Sequence, residues 1–308
     1  MGKRKIALTA LALTAGTAAV VQAPAAAAST AAPAGLAAAD AASRAPQFFA
    51  ARMSGANEVP APGGPAVGDQ DGSATGIVRV QGDRVTFALS HRNIGAPTLA
   101  HIHQGRAGAN GPVKVGLFAS ALPATVTAAA GSTTVEDRAV ADAIRANPSG
   151  FYFNVHTAEF PGGAVRGQLT PLGGRLDVLQ LLKGGGLRAF MSGDQEVPVE
   201  GGPKVGDPDG RAVTFIRARG TTVSYSAAWV GFTPTLGHIH KGRFGTNGPI
   251  SVPLFGSAVP STVFAVAGTV PGIDPAVIQE IRSNPRGFYA NLHSAEFPGG
   301  AVRGQLNG

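Results

Sequence analysis

Six of the seven histidines in this 308-residue chain fall at matched places in two copies of one pattern. "LAHIHQGRAGANGPV" carries His101 and His103, and "LGHIHKGRFGTNGPI" carries His238 and His240. A third histidine follows in each copy, His156 in "FYFNVHTAEF" and His293 in "FYANLHSAEF", while His91 has no counterpart. On an extended strand, residues i and i+2 share a face and lie about 6.5–7 Å apart. Two imidazoles at that separation can lean onto one ion, with metal–nitrogen bonds of about 2.0–2.1 Å. The same alternation puts Phe151, Phe153 and Val155 on an apolar face and turns Tyr152, Asn154 and His156 away from it. In the second copy Phe288, Ala290 and Leu292 go inward, and Tyr289, Asn291 and His293 outward. If the two strands of each copy are neighbours, three nitrogens converge on the solvent side of a sheet, with a fourth position left to solvent. Three neutral imidazoles suit Zn, Cu, Ni and Fe alike. Zinc with a bound water would give hydration or hydrolysis; copper would give a redox or copper-holding centre. The chain has no Cys, and no Met beside the triads, which argues against a blue-copper centre.

Other residues repeat with the histidines. After His156, "PGG" makes a turn, so "AVRGQL" returns antiparallel and sets Arg166 and Gln168 on the histidine face; Arg303 is the second-copy equivalent. An arginine there would attract a small anion or hold a carboxylate behind the ligands, with Glu159 and Glu296 the nearest in sequence. The plainer reading is an ordinary hairpin ion pair, Glu159 with Arg166 and Glu296 with Arg303. "GDQDG" and "GDPDG" resemble a calcium loop but lack its remaining ligands, so they read as turns. "GANGP" and "GTNGP" read as tight turns, with Asn-Gly supplying positive φ.

The elements that must position these groups are short strands. "FPGGAVRGQL" occurs letter for letter at 160–169 and 297–306, and "MSGANEVPAPGGPAVGDQDG" answers "MSGDQEVPVEGGPKVGDPDG". The repeat therefore covers two domains, expected at 47–171 and 187–308 and joined by a linker at 172–186. "GIVRVQGDRVTFALSH" is two period-2 runs joined by a hairpin turn, and "RAVTFIRARGTTVSYSAAW" repeats it. One short helix is expected in each domain. Thr133 and Glu136 would form a capping box ahead of the first, which Asn147-Pro148 stops; Asp274 would cap the second, with Pro275 at its first position. Many short strands with 44 Gly, 23 Pro and 14% charged residues indicate an all-β chain of two β-sandwiches. Lys3, Arg4 and Lys5 followed by an apolar stretch to about Val21 read as a signal peptide over 1–28, ahead of an Ala-rich disordered segment at 29–46. That points to export, to the extracellular space or cell envelope, with no stable membrane span in the mature chain. With the leader's cations set aside the formal charge of +7 falls to about +4. The scattered arginines and 6% aromatics argue against a nucleic-acid groove.

The motifs "HIHxGxxGxNGP" and "FYxNxHxAEFPGGAVRGQL" resemble the CHRD domain, the module named after chordin, here in tandem and of the bacterial secreted type. The resemblance covers nearly all of the mature chain. It implies an immunoglobulin-like, Cu,Zn superoxide dismutase-like Greek-key sandwich, a fold that carries a His-x-His copper pair on a strand. By that likeness His101 and His103, with His238 and His240, would be the copper pairs; His156 and His293 would be third ligands, and Arg166 and Arg303 anion-guiding arginines. The zinc-site cluster, the bridging histidine and the disulfide of that enzyme are missing. The expectation is one transition-metal ion per domain, copper preferred and zinc the alternative, held for binding or sequestration. A copper-dependent superoxide dismutase activity is the alternative, and a metal-free structural or protein-binding module the third reading.

Overall fold

The computed structural model describes residues 45–173 and 185–308. The proposed leader and most of the linker lie outside them. The first domain runs β1 (Gln47–Ser54), β2 (Ser73–Gln81), β3 (Arg84–Arg92), β4 (Pro97–Gln104), β5 (Val113–Phe118) and β6 (Val126–Thr134). Helix α1 (Arg138–Ala146), β7 (Phe151–Thr157), β8 (Val165–Gln168) and the two-residue β9 (Thr170–Pro171) complete it. The second repeats this as β10 (Leu187–Ser192), β11 (Arg211–Arg219), β12 (Thr222–Val230), β13 (Pro234–Lys241), β14 (Ile250–Phe255) and β15 (Val263–Val270). It ends with α2 (Pro275–Ser283), β16 (Phe288–Ser294) and β17 (Val302–Gln305).

Every ladder is antiparallel. One sheet of the first domain has the order β6-β3-β2-β1, the other β8-β7-β4-β5. The chain crosses between sheets after β3, returns after β5 and crosses again through α1, which makes the connection a Greek key. The second domain has β15-β12-β11-β10 facing β17-β16-β13-β14. A single rung stitches the sheets of each sandwich at one corner, Ser54 to Arg166 and Ser192 to Arg303. The alternating residues meet between the sheets, with Phe87, Phe118, Phe153 and Leu89 fully buried in the first domain and Tyr225, Phe255 and Leu292 in the second.

The helix signals resolve differently in the two copies. Asp274 accepts from the Ala276 amide at 2.8 Å with Pro275 at the first helical position, as expected. In the first domain the anticipated capping box is absent: Thr133 is still in β6, paired with Val85, and Asp137 caps instead, accepting from the Ala139 amide at 2.9 Å. The strand ladder, which continues to Thr134, outcompetes the local box.

The joint between domains has no counterpart among the sequence expectations. Edge strand β6 pairs with edge strand β15, so the two four-stranded sheets merge into one of eight, β1-β2-β3-β6-β15-β12-β11-β10. Threonines equivalent in the repeat lock it from both sides. Thr125 Oγ1 donates to Leu254 O at 2.6 Å, and Thr262 Oγ1 donates to Leu117 O at 2.7 Å. Each domain thereby covers the edge that the other would expose. At this seam a Cβ on Gly131 would stand 2.5 Å from the Thr262 carbonyl and 2.4 Å from the Phe87 ring. Gly131→Val should therefore destabilise the whole chain by about 1–3 kcal/mol. An unchanged urea midpoint would show that the seam tolerates a side chain.

Candidate metal centre

The core fixes the direction of the histidines. Ala100 and Ile102 on β4, and Phe153 and Val155 on β7, are fully buried between the sheets, so their neighbours His101, His103, Tyr152, Asn154 and His156 point to the opposite face. β4 pairs with β7, setting His101 across from Asn154, His103 across from Tyr152 and His156 across from Leu99. On its other side β4 meets β5 with register shifts between Ala100 and His101 and between Ile102 and His103. Bulges of this kind re-aim side chains. β13, β14 and β16 reproduce the arrangement, shifts included.

The three rings of each copy converge. In both triads one ligand atom from each histidine lies within 4.8 Å of the others. His101 Nδ1 is 3.3 Å from His156 Nε2, and His238 Nδ1 is 3.2 Å from His293 Nε2. About 3.3 Å is also the separation of two nitrogens bound tetrahedrally to one ion at about 2.0–2.1 Å. Two rings per site are held by backbone carbonyls. His103 Nδ1 donates to Gly111 O at 2.9 Å and His156 Nδ1 to Pro161 O at 3.0 Å; His240 and His293 do the same to Gly248 and Pro298. A carbonyl only accepts, so these rings carry their proton on Nδ1 and turn the Nε2 lone pair toward the other histidines. His103 Nε2 and His240 Nε2 are buried with no hydrogen-bond partner, which leaves each lone pair free to act as a ligand. Burial holds all six rings neutral: His101 is pushed down to about 4 by desolvation and then by His156 and His103, and His238 likewise to about 4. Desolvation also lowers His103, His156, His240 and His293. Neutral imidazole is the metal-binding form. His91 stands apart, buried with Nε2 at 3.1 Å from Val126 O.

Two expectations need correction. The histidine face is only partly open to solvent, because loops cover much of it: Tyr152 is 2%, Asn154 4% and His156 8% exposed, while His101 and His103 are half-buried. Arg166 does not meet Glu159, which is exposed, nor does Arg303 meet Glu296, whose partner is Lys204 at 2.8 Å. Arg166 is instead 1% exposed and gives its donors to Asn110 Oδ1 (3.0 Å), Arg106 O (3.2 Å) and Ala109 O (2.6 Å). Its guanidinium carbon lies 3.4 Å from the centroid of Tyr152, whose other neighbour is the His103 ring, stacked at 4.8 Å. Arg303, Tyr289 and His240 repeat the stack. The arginine thus braces the 105–112 loop that supplies the Gly111 carbonyl to His103. With both terminal nitrogens engaged by loop acceptors, it serves the loop rather than an incoming anion. In that loop the positive φ belongs to Gly108 (+74°) rather than to Asn110-Gly111; Asn110 is occupied by Arg166 and by Val59 O.

A carboxylate that sequence reasoning passed over completes the site. Both Glu58 oxygens accept from Asn154 Nδ2 at 3.1 Å, and Glu196 accepts from Asn291 at 2.9 and 3.0 Å. Desolvation raises each to about 7, against the opposing pull of the asparagine and the buried arginine. The signal was present in "NEVP" and "QEVP", where Glu58 and Glu196 hold the same place in the repeat. Glu58, His103, Tyr152, Asn154 and Asn110 line a cleft of about 170 Å³; its counterpart with Glu196, His240 and His293 is about 210 Å³.

Fold and site together define a protein of two fused Greek-key sandwiches, each presenting three convergent imidazole nitrogens beside a half-buried carboxyl group. The CHRD domain model matches residues 49–169 and 187–306, and the chain belongs to that family. A search of curated proteins finds no match.

Glu58 and His101 tilt stability in opposite directions. The folded carboxyl titrates near 7 against an ordinary 4.5, so its contribution is full below 4.5 and is lost as pH rises through 7. The folded imidazole titrates near 4 against 6.5, so its contribution is present above 6.5 and is lost as pH falls through 4. In metal-free protein, Glu58→Gln with Glu196→Gln should raise Tm at pH 8 and leave it nearly unchanged at pH 4.5. Equal shifts at both pH values would show that carboxylate burial is not the cause.

Proposed function

We propose that this is an exported metal-binding protein in which each CHRD domain holds one transition-metal ion, copper in preference to zinc. The ligands would be His101, His103 and His156 in the first domain, and His238, His240 and His293 in the second. One observation carries the reading: three ring nitrogens within 4.8 Å of one another, in both copies. The donor set fits the group. It is all nitrogen, neutral near pH 7, and at such a site copper(II) outranks zinc in intrinsic affinity. A bound ion would supply Lewis acidity or, for copper, a change of oxidation state. The protein's own residues orient the rings through Gly111 and Pro161, exclude bulk water with the 105–112 loop, and keep the Glu58 carboxyl close by. Binding or sequestration is favoured over superoxide turnover because Arg166 and Arg303 are buried and engaged with loop carbonyls. No described helix is long and apolar enough to cross a membrane. Export rests on the basic and apolar run at the start of the sequence, and 47–171 and 187–308 are taken as the functional units.

After loading with copper and gel filtration, the wild-type chain should retain two ions per molecule by elemental analysis. His101→Ala or His238→Ala alone should retain one, and the double variant none. Equal content in wild type and double variant would remove the metal reading and leave the structural module. Arg166→Lys with Arg303→Lys, which keeps the charge but not the fork, should weaken copper binding about 10–100-fold and alter the copper electron paramagnetic spectrum. An unchanged affinity and spectrum would show that the brace does not set the ligand geometry.

A further inference from the structure

Arginines that are scattered along the sequence gather on one surface of the fold. In the eight-stranded sheet the core fixes the alternation. Ala51, Val78, Leu89, Ala189 and Ile216 are fully buried between the layers, so the residues that alternate with them point away from both cores. In the first domain those outward positions include Arg52 on β1, Arg79 on β2, and Arg84 and Arg92 on β3. In the second they include Arg188 on β10, and Arg211, Arg217 and Arg219 on β11. No strand of this sheet contains a carboxylate; Asp83 and Asp194 stand in turns at its rim. Seven of the eight arginines are exposed, Arg79 being half-buried, and none belongs to an ion pair among the described residues. Arg84 donates to Ser132 Oγ at 2.7 Å, Arg211 to the Pro208 and Gly210 carbonyls at 2.9 and 2.6 Å, and Arg79 to Gln81. The side chains of the other five make no hydrogen bond within the described residues.

The cations are close enough to repel. Arg217 and Arg219 share one strand at i and i+2, about 6.5–7 Å apart. Arg188 pairs with Phe215, which makes it the diagonal neighbour of Arg217 at about 7–8 Å. Arg79 and Arg84 are diagonal neighbours in the same way across the β2–β3 ladder. Like charges so placed weaken a sheet, and a face with no counter-charge of its own attracts anions. The face is also wide: seven strand spacings separate β1 from β10, about 34 Å. A small anion can meet one cluster, whereas an extended chain of anionic groups can meet arginines of both domains. Phe190, 66% exposed, stands two residues from Arg188 and diagonal to Arg211, where its ring can lie against the apolar side of a sugar. Phe190 and Val230 are the only large apolar side chains exposed on the described part of this face, too few to anchor it in lipid.

We propose that the arginine face binds a linear acidic polysaccharide, one whose sugars carry carboxylate or sulfate groups, with Arg188, Arg217 and Arg219 as its main anchor. The class of partner rests on the export reading above, which brings polysaccharides rather than nucleic acids within reach. It owes nothing to the histidines, whose strands belong to the other sheets.

Isothermal titration of the full-length chain with polygalacturonate and with dextran sulfate should show binding that weakens steeply as NaCl is added. Arg188→Gln with Arg217→Gln and Arg219→Gln should lower the affinity about tenfold or more at unchanged Tm. Lys114→Gln with Arg282→Gln and Arg286→Gln, which removes the same charge from elsewhere, should lower it less than about threefold. Binding to neither polymer overturns the proposal, as do equal losses in the two variants, because net charge is then the whole effect. Tighter binding to phosphatidylglycerol vesicles or to single-stranded DNA also overturns it and names a membrane or a nucleic acid as the partner. Should the first variant fail to fold, Arg52→Gln with Arg92→Gln, set against Arg282→Gln with Arg286→Gln, gives the same comparison. Export is read separately, by looking for the processed chain outside the cells, so loss of one reading leaves the other standing.

Discussion

Antiparallel pairing of β4 with β7 is the constraint on which the site depends. Neither strand has freedom to slip. A shift of one residue would turn Ile102, Phe153 and Val155 out of the core and drive His101, His103 and His156 into it. The free energy that fixes the histidines is therefore mostly hydrophobic and comes from side chains that never touch them. Two register shifts against β5 then bend the strand where the histidines stand. The same logic holds β13 against β16.

Setting polar groups on that face creates a second problem, because the loops that shape the site also take it out of water. A buried guanidinium is tolerable only when its donors are satisfied. Arg166 meets that condition with three loop acceptors and the face of Tyr152. The loop gains rigidity from the same contacts and passes it on to His103 through Gly111. Glu58 is the compensating charge on the other side, and its position between a desolvating roof and the arginine explains a carboxyl that titrates near neutrality.

Much of this was legible in the sequence because it obeys a period. Alternation in "TLAHIHQ" and "FYFNVHT" assigned the faces, and Asp274 with Pro275 located the start of α2. What was not legible depends on partners remote in sequence. The Thr133 and Glu136 pattern reads as a cap until β3 claims Thr133 for its ladder. Arg166 looks like a partner for Glu159 seven residues away, yet its acceptors are more than fifty residues upstream. "VTAAAGSTT" has no charge or aromatic group to announce that β6 pairs across the domain boundary. The roof over the histidines follows from loop paths, on which strand periodicity is silent.

The two copies also act as a record of what each position is for. A duplication starts from identity, so what has diverged shows where change is cheap. Ala66 faces Lys204, Ala61 faces Val199 and Ala107 faces Phe244 in the repeat, and Lys204, Val199 and Phe244 are exposed, the last two 60% and 70%. Even the acid after the third histidine has changed partner, with Glu296 on Lys204 while Glu159 has only an alanine there. Across the same interval the six histidines, Tyr152 and Tyr289, Asn154 and Asn291, Glu58 and Glu196, Arg166 and Arg303, and the two loop glycines that bind His103 and His240 are unchanged. Packing alone would not preserve this set, since a sheet face roofed by loops can be filled with apolar side chains at lower desolvation cost. Retention of costly polar groups on one face, beside free drift on the surface around it, is the pattern expected where a ligand holds the arrangement in place.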